Sequence, residues 1–147
     1  MLNKLSHKIG LEFKPYSYSV ERGKIKEFAQ AIGDDNSIYY SVEAAQKSGF
    51  RDVPVPPTFA TAIDMWAGPD FEQLIEALEI NPLKVLHGEM QYTYVGDICA
   101  GDTIHCTSKV IEVIEKRNMN LFTIETKYKN QHNAILLISK SVLIERQ

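Results

Sequence analysis

Apolar residues recur at spacings of three and four through the first half of the chain, and from Val85 onward they gather into runs of strand type. Residues 16–20 alternate and carry aromatics, which predicts a short strand. A helical pattern opens at Glu21, with Ile25, Phe28, Ala29 and Ile32 on one face, and Gly33 stops it because glycine tolerates the left-handed conformation. Ser41 is placed to cap a second short helix over 42–47, which Gly49 ends. Pro54, Pro56 and Pro57 then force an extended approach to an apolar helix from Thr58 through about Trp66. A further helix over about 70–79 puts Phe71, Leu74, Ile75 and Leu78 on one face, between the breakers Gly68-Pro69 and Asn81-Pro82. Four strand-like runs follow, at about 85–95, 103–115, 121–130 and 134–145, with turn residues between them. Helices first and an antiparallel meander after predict an α+β domain with helices against one face of a sheet.

Composition narrows the function classes. The 147 residues suffice for one domain spanning 1–147 with a real core, and 44% apolar and 24% charged residues are ordinary for a globular protein. A net charge of −3 argues against a nucleic-acid partner. The two cysteines, Cys99 and Cys106, are expected to be reduced and half-buried. No signal-peptide core and no run of about 20 apolar residues is present, so a cytoplasmic location without membrane association is expected. No phosphate-cradling glycine loop and no nucleophile elbow occurs. None of the four histidines is paired at a metal-site spacing, so neither a metal nor another cofactor is expected.

Three motifs carry chemistry. The first is the loop Gly33-Asp34-Asp35-Asn36-Ser37-Ile38-Tyr39-Tyr40. The second is Val55-Pro56-Pro57-Thr58-Phe59 at the start of the central helix. The third is Leu86-His87-Gly88-Glu89-Met90-Gln91-Tyr92, with Gly101-Asp102 further on. In order and spacing they resemble the MaoC-like dehydratase / (R)-specific enoyl-CoA hydratase family, and more narrowly its N-terminal MaoC-like dehydratase domain type. The resemblance covers nearly the whole chain and implies a single hotdog fold, a curled antiparallel sheet wrapped around a central helix. It implies hydro-lyase chemistry on 3-hydroxyacyl or trans-2-enoyl thioesters of coenzyme A or acyl-carrier protein, in fatty-acyl metabolism. In that family an aspartate and a histidine of the first loop handle the water, and an amide at the central helix start polarises the thioester carbonyl. Asp34 and Asn36 match the loop pattern, but Ser37 stands for its proline and Tyr39 for the catalytic histidine.

Each assignment has a plainer reading beside it. Asp34 is either the catalytic carboxylate or a helix-terminal turn residue. Tyr39, a poor base with a phenol pKa near ~10, either orients water or lines an acyl tunnel. Asn36 shapes the loop under both readings. Pro57, Thr58 and Phe59 are the expected thioester-binding residues, with the Thr58 and Phe59 amides as donors because Pro57 has none. His87 and Gly88 complete the expected substrate site, although His87 reads equally as a packing residue. The Met65-Trp66 pair is either pocket lining or core. Asp64 could serve thioester hydrolysis, or be a polar position on an amphipathic helix. Two main functions follow: a dehydratase or hydratase in its own right, or a non-catalytic acyl-binding subunit whose partner supplies the aspartate and histidine. A thioesterase is the third. All imply a homodimer or larger oligomer, because a lone hotdog sheet has exposed edges.

Overall fold

The computed structural model describes residues 4–147. Five antiparallel strands, β1 (Tyr16–Ser19), β2 (Val85–Tyr94), β3 (Thr103–Lys116), β4 (Met119–Lys129) and β5 (Ile135–Arg146), form one sheet in the order β1-β3-β4-β5-β2. Irregularities in register at His87/Glu89, Val110/Glu112 and Tyr128/Lys129 bend the strands, as β-bulges do, and the sheet curls. The helices are α1 (Arg22–Ala31), α2 (Val42–Lys47), α3 (Ala60–Ala67) and α4 (Phe71–Leu78). This is the hotdog fold, with α3 as the central helix.

Local chemistry sets the element ends. Gly33 takes φ 72° after α1, and Ser41 accepts the Ala44 amide at the start of α2. Asp70 and Gln73 form a reciprocal capping box on α4. The Lys8 ammonium donates to the Ala77 carbonyl at the other end of α4, where a cation complements the helix dipole.

Alternating inward residues of β3, β4 and β5 build two apolar clusters. One joins Ile25, Phe59, Ile63, Ile104 and Leu137, beneath α1 and α3. The other joins Leu78, Val110, Phe122 and Leu143, beneath α4. Cross-strand register lays two rows over this inner face. The first row runs Tyr16, Cys106, Tyr128, Leu137, Tyr94 across all five strands. The second runs Ser108, Thr126, Ser139, Tyr92, and it places a belt of hydroxyls between the two clusters. Cys99 and Cys106 are both buried free thiols.

The C-terminal end of α3 is tightly packed. A Cβ on Gly68 would lie 2.5 Å from the Asp64 carbonyl oxygen and 3.1 Å from the Tyr16 ring. Gly68→Ala is therefore expected to cost about 1–3 kcal/mol, read as a lower urea midpoint. An unchanged midpoint would contradict the packing described.

Candidate functional site

A cavity of about 270 Å³ opens where the 33–40 loop, the proline-rich segment, the end of β2 and β5 converge. Its walls are mostly apolar: Ile38, Phe50, Val55, Ala60, Ile98 and Leu137. Among the described residues, Asp97 is the only carboxylate on it, and no lysine, arginine or histidine lines it. Such a space suits an apolar group, and no imidazole among the described residues lines it for proton transfer.

Nested turns aim the first loop. The Asp34 amide donates to the Ala29 carbonyl at 2.9 Å. The Asp34 carboxylate accepts the Asn36 amide at 3.0 Å, and the Asn36 side chain accepts the Ile38 amide at 3.2 Å. Two Asx turns in succession thus lead into the short 3-10 turn Ser37–Tyr39. That turn sends Ile38 and Tyr39 into the cavity wall. Tyr39 is 8% exposed, so it is a lining aromatic rather than a solvated acid. Burial first, and the nearby Asp34 charge second, push its phenol above the ordinary value. Tyr40 closes the loop by donating to the Asp34 carbonyl.

The second wall is the start of α3. Phe59 is the residue before the helix, and its amide is spent on the Pro56 carbonyl at 3.0 Å. Its ring is 1% exposed and stacks edge-on against Tyr18 and Phe28, in the core and off the cavity. Phe59 therefore supplies neither a free donor nor lining, contrary to expectation. The Thr58 and Ala60 amides make no hydrogen bond among the described residues, as the first amides of a helix do not. Ala60 lines the cavity, so the available amide shifts from Phe59 to Ala60. Pro57 lines the cavity as expected, and its carbonyl accepts the Tyr94 hydroxyl at 2.7 Å.

His87 and Gly88 stand apart from this site. They lie near the start of β2, about 20 Å of extended strand from Tyr94 at the cavity. Gly88 sits at the bulge, where a Cβ would meet the Ile144 side chain. Met65 and Trp66 are exposed; Trp66 packs edge-on against Tyr18 beneath the Lys24 ammonium, away from the cavity. Asp64 is not a solvent-facing polar position either. It points inward and accepts the hydroxyls of Tyr16 and Tyr128 at 2.7 Å.

Two further residues hold the site together: Asp102, which the third motif included in its Gly101-Asp102 pair, and Arg51, which no motif included. Asp102 is 1% exposed and accepts both Arg51 guanidinium nitrogens, the Cys99 amide and the Gln131 side-chain amide. Arg51 also donates to the Asp97 carbonyl. Beside them the Val55 amide donates to Ile98 and the Ala100 amide to Val53, which joins two walls of the cavity. The pair is separated by 51 positions, and only folding brings it together.

The family described as "FAS1-like, dehydratase domain region" matches residues 7–138. The chain belongs to that family. Among curated relatives of this FAS1-like dehydratase-region chain, the UPF0336 protein of Streptomyces avermitilis is 38% identical over 103 residues, covering 69% of this chain and 68% of the relative. The UPF0336 protein of Saccharopolyspora erythraea is 30% identical over 141 residues, covering 94% and 88%. Among solved structures, the HadBC (3R-hydroxyacyl-ACP dehydratase) complex of Mycobacterium tuberculosis superposes with a TM-score of 0.79 at 18% identity, covering 95% of this chain and 98% of that one. A MaoC-like dehydratase superposes at 0.81 with 20% identity, covering 96% of this chain and 43% of that longer one. The (R)-hydratase of A. caviae involved in PHA biosynthesis gives 0.70 at 15% identity, covering 94% and 96%. The MaoC-like hotdog resemblance carried by the three motifs is borne out. Among the described residues no group of His, Cys, Asp or Glu is arranged to hold a metal ion, and no helix is long and apolar enough to cross a membrane.

Proposed function

We propose that this chain is the acyl-binding subunit of a two-chain 3-hydroxyacyl-thioester dehydratase or enoyl-thioester hydratase, whose partner hotdog chain supplies the aspartate and histidine. The observation that carries this reading is Tyr39. It occupies the family's histidine position, yet it is buried in the wall of an apolar cavity and its phenol is pushed away from neutral titration. A subunit built to hold an acyl tail needs that wall; a self-sufficient hydratase needs an imidazole there. The thioester carbonyl would lie at the α3 start, facing the Thr58 and Ala60 amides, where the helix dipole favours a developing negative oxygen. Asp34 shapes the loop through the Asn36 amide. Two of the similar solved structures are themselves complexes of two named chains, HadBC and ChsH1–ChsH2.

The partner's place is the β2 edge. β2 is ten residues long, has no strand paired on one side among the described residues, and exposes Leu86, Met90 and Tyr94. An unpaired edge of that length with apolar side chains is normally covered. A second hotdog chain, pairing there edge to edge, would extend the sheet. A homodimer through this edge remains the form expected of the chain by itself.

Asp34→Asn tests the division of labour. Asparagine keeps the oxygen that accepts the Asn36 amide, so the loop persists. In the two-chain complex, turnover should stay within about threefold, since general acid–base catalysis worth about 10²–10⁴ resides in the partner. A fall of about a hundredfold in a folded complex would assign Asp34 to catalysis and overturn the reading.

A further inference from the structure

The outer face of the sheet, the side turned away from the helices, carries a pattern that the cavity does not use. Val113 on β3, Phe122 on β4 and Leu143 on β5 are buried in the cluster beneath α4. Their neighbours in sequence therefore point outward. Cross-strand register sets Ile114, Leu121, Ile144 and Leu86 side by side in one outward row over four adjacent strands. Ile114 is 38% exposed and Leu86 50% exposed. Among the described residues, none of the four packs into either buried cluster.

Charges of opposite sign flank this row. One register step toward the β3–β4 turn, Lys116 and Arg146 stand at the two ends of the row through Met119. One step the other way, Glu112 and Glu89 stand at the two ends of the row through Thr123 and Val142. All four charged side chains belong to exposed residues, and none has an ion-pair partner among the described residues.

A face patterned in this way complements itself. Two copies laid outer face to outer face can share a twofold axis along the strands or along the apolar row. The first axis sets the basic side over the basic side. The second sets the apolar row on itself and carries the Lys116 side of each copy over the Glu112 side of the other. Only the second brings opposite signs together, and a twofold contact repeats each such pairing. We propose that this face seats a second copy of this chain, packed back to back, with the apolar row on the axis and Lys116 opposite Glu112 of the other copy. Sheets packed face to face lie about 10 Å apart, with their strands within about 30° of alignment. The contact is separate from the β2 edge, so the two are compatible and together make a tetramer of two edge-paired dimers.

The test is sedimentation velocity of the full chain across a range of concentrations. The mass should double in a step that Lys116→Glu weakens by about tenfold or more, because like charges then oppose each other. Glu112→Lys should weaken it as much. Lys116→Glu combined with Glu112→Lys should restore it, because each reversed lysine meets a reversed glutamate. Positions 112 and 116 lie about 13 Å apart along β3, so the rescue cannot arise within one chain. Leu121→Lys, in the middle of the row, should abolish the step, with an unchanged far-UV spectrum showing that the chain is folded. β3 and β4 lie away from the β2 edge, so edge pairing should survive in every variant. A chain that shows no doubling step, or a step that none of these variants moves, would overturn the back-to-back contact. A double variant that stays as weak as the single ones would overturn it too, because Lys116 would then not face Glu112.

Discussion

Tyr39→His is expected to give the purified chain an enoyl-CoA hydratase activity about a hundredfold above that of the unsubstituted protein, the lower end of what general acid–base catalysis contributes. The position is already prepared. The Asx turns hold residue 39 in the cavity wall, and Asp34 is near enough for its charge to act on the side chain there. The carboxylate has lone pairs to spare beyond the one taken by the Asn36 amide. An imidazole beside it would gain a pKa near neutrality, which a buried phenol cannot have. Tyr39→Phe should gain nothing, and Tyr39→His combined with Asp34→Asn should lose most of the gain. Loss of enoyl-thioester absorbance reads all three. A folded Tyr39→His protein with no gain would show that the wall lacks the rest of the site, and would move the carbonyl away from the α3 start.

The second large effect is on stability. Arg51→Ala leaves the Asp102 carboxylate fully buried with only the Cys99 and Gln131 amides to hold it. Removing one partner of a buried pair costs about 3–5 kcal/mol; the half-exposed Arg51 side chain lowers the expected loss to about 2–3 kcal/mol. The sign of its pH dependence follows from Asp102. Burial pushes that carboxyl up, but the Arg51 hydrogen bonds, the Cys99 amide and the guanidinium charge outweigh it and hold it below the usual carboxylate range. A depressed folded value gives stability that is complete above the unfolded value of about 3.9 and is lost as pH falls through the folded one. The gap in urea midpoint between the native chain and Arg51→Ala should therefore be full at neutral pH and narrow below about pH 4. A gap that stays constant into acid would mean that the pair contributes through packing alone.

The elements were legible because local rules and the fold agree. Gly33, Ser41 and the prolines at 54, 56 and 57 each act within a few residues of their own position, and the helix and strand runs follow from period alone. Central α3 is the exception at its start. Thr58 and Phe59 belong to the turn before it, because the Phe59 amide closes on Pro56. The long-range chemistry was not legible. Asp64 reads in sequence as a polar residue on an amphipathic helix, and only register shows that Tyr16 and Tyr128, 48 and 64 positions away, turn it inward. Asp102 stood in the third motif, but nothing in the sequence joined it to Arg51, 51 positions away. His87 and Gly88 were expected in the site from the family resemblance of their motif, whereas the strand carries them to the far end of β2 from the cavity.

Asp34 and Tyr39 were visible as candidates, and the proposed division of roles turns on the orientation of Tyr39. The proposed acyl-binding role rests on its place in an apolar wall, where the family pattern has an imidazole. The most direct test is hydration of crotonyl-CoA and longer enoyl-CoA thioesters by the purified chain alone, and then with one equivalent of a MaoC-like chain from the same organism that carries the aspartate and histidine. The account predicts no turnover above background by the chain alone at any tail length, and turnover by the mixture that is lost when the partner's histidine is replaced. Full turnover by the chain alone, abolished by Asp34→Asn, would contradict it and make this chain a self-sufficient hydratase.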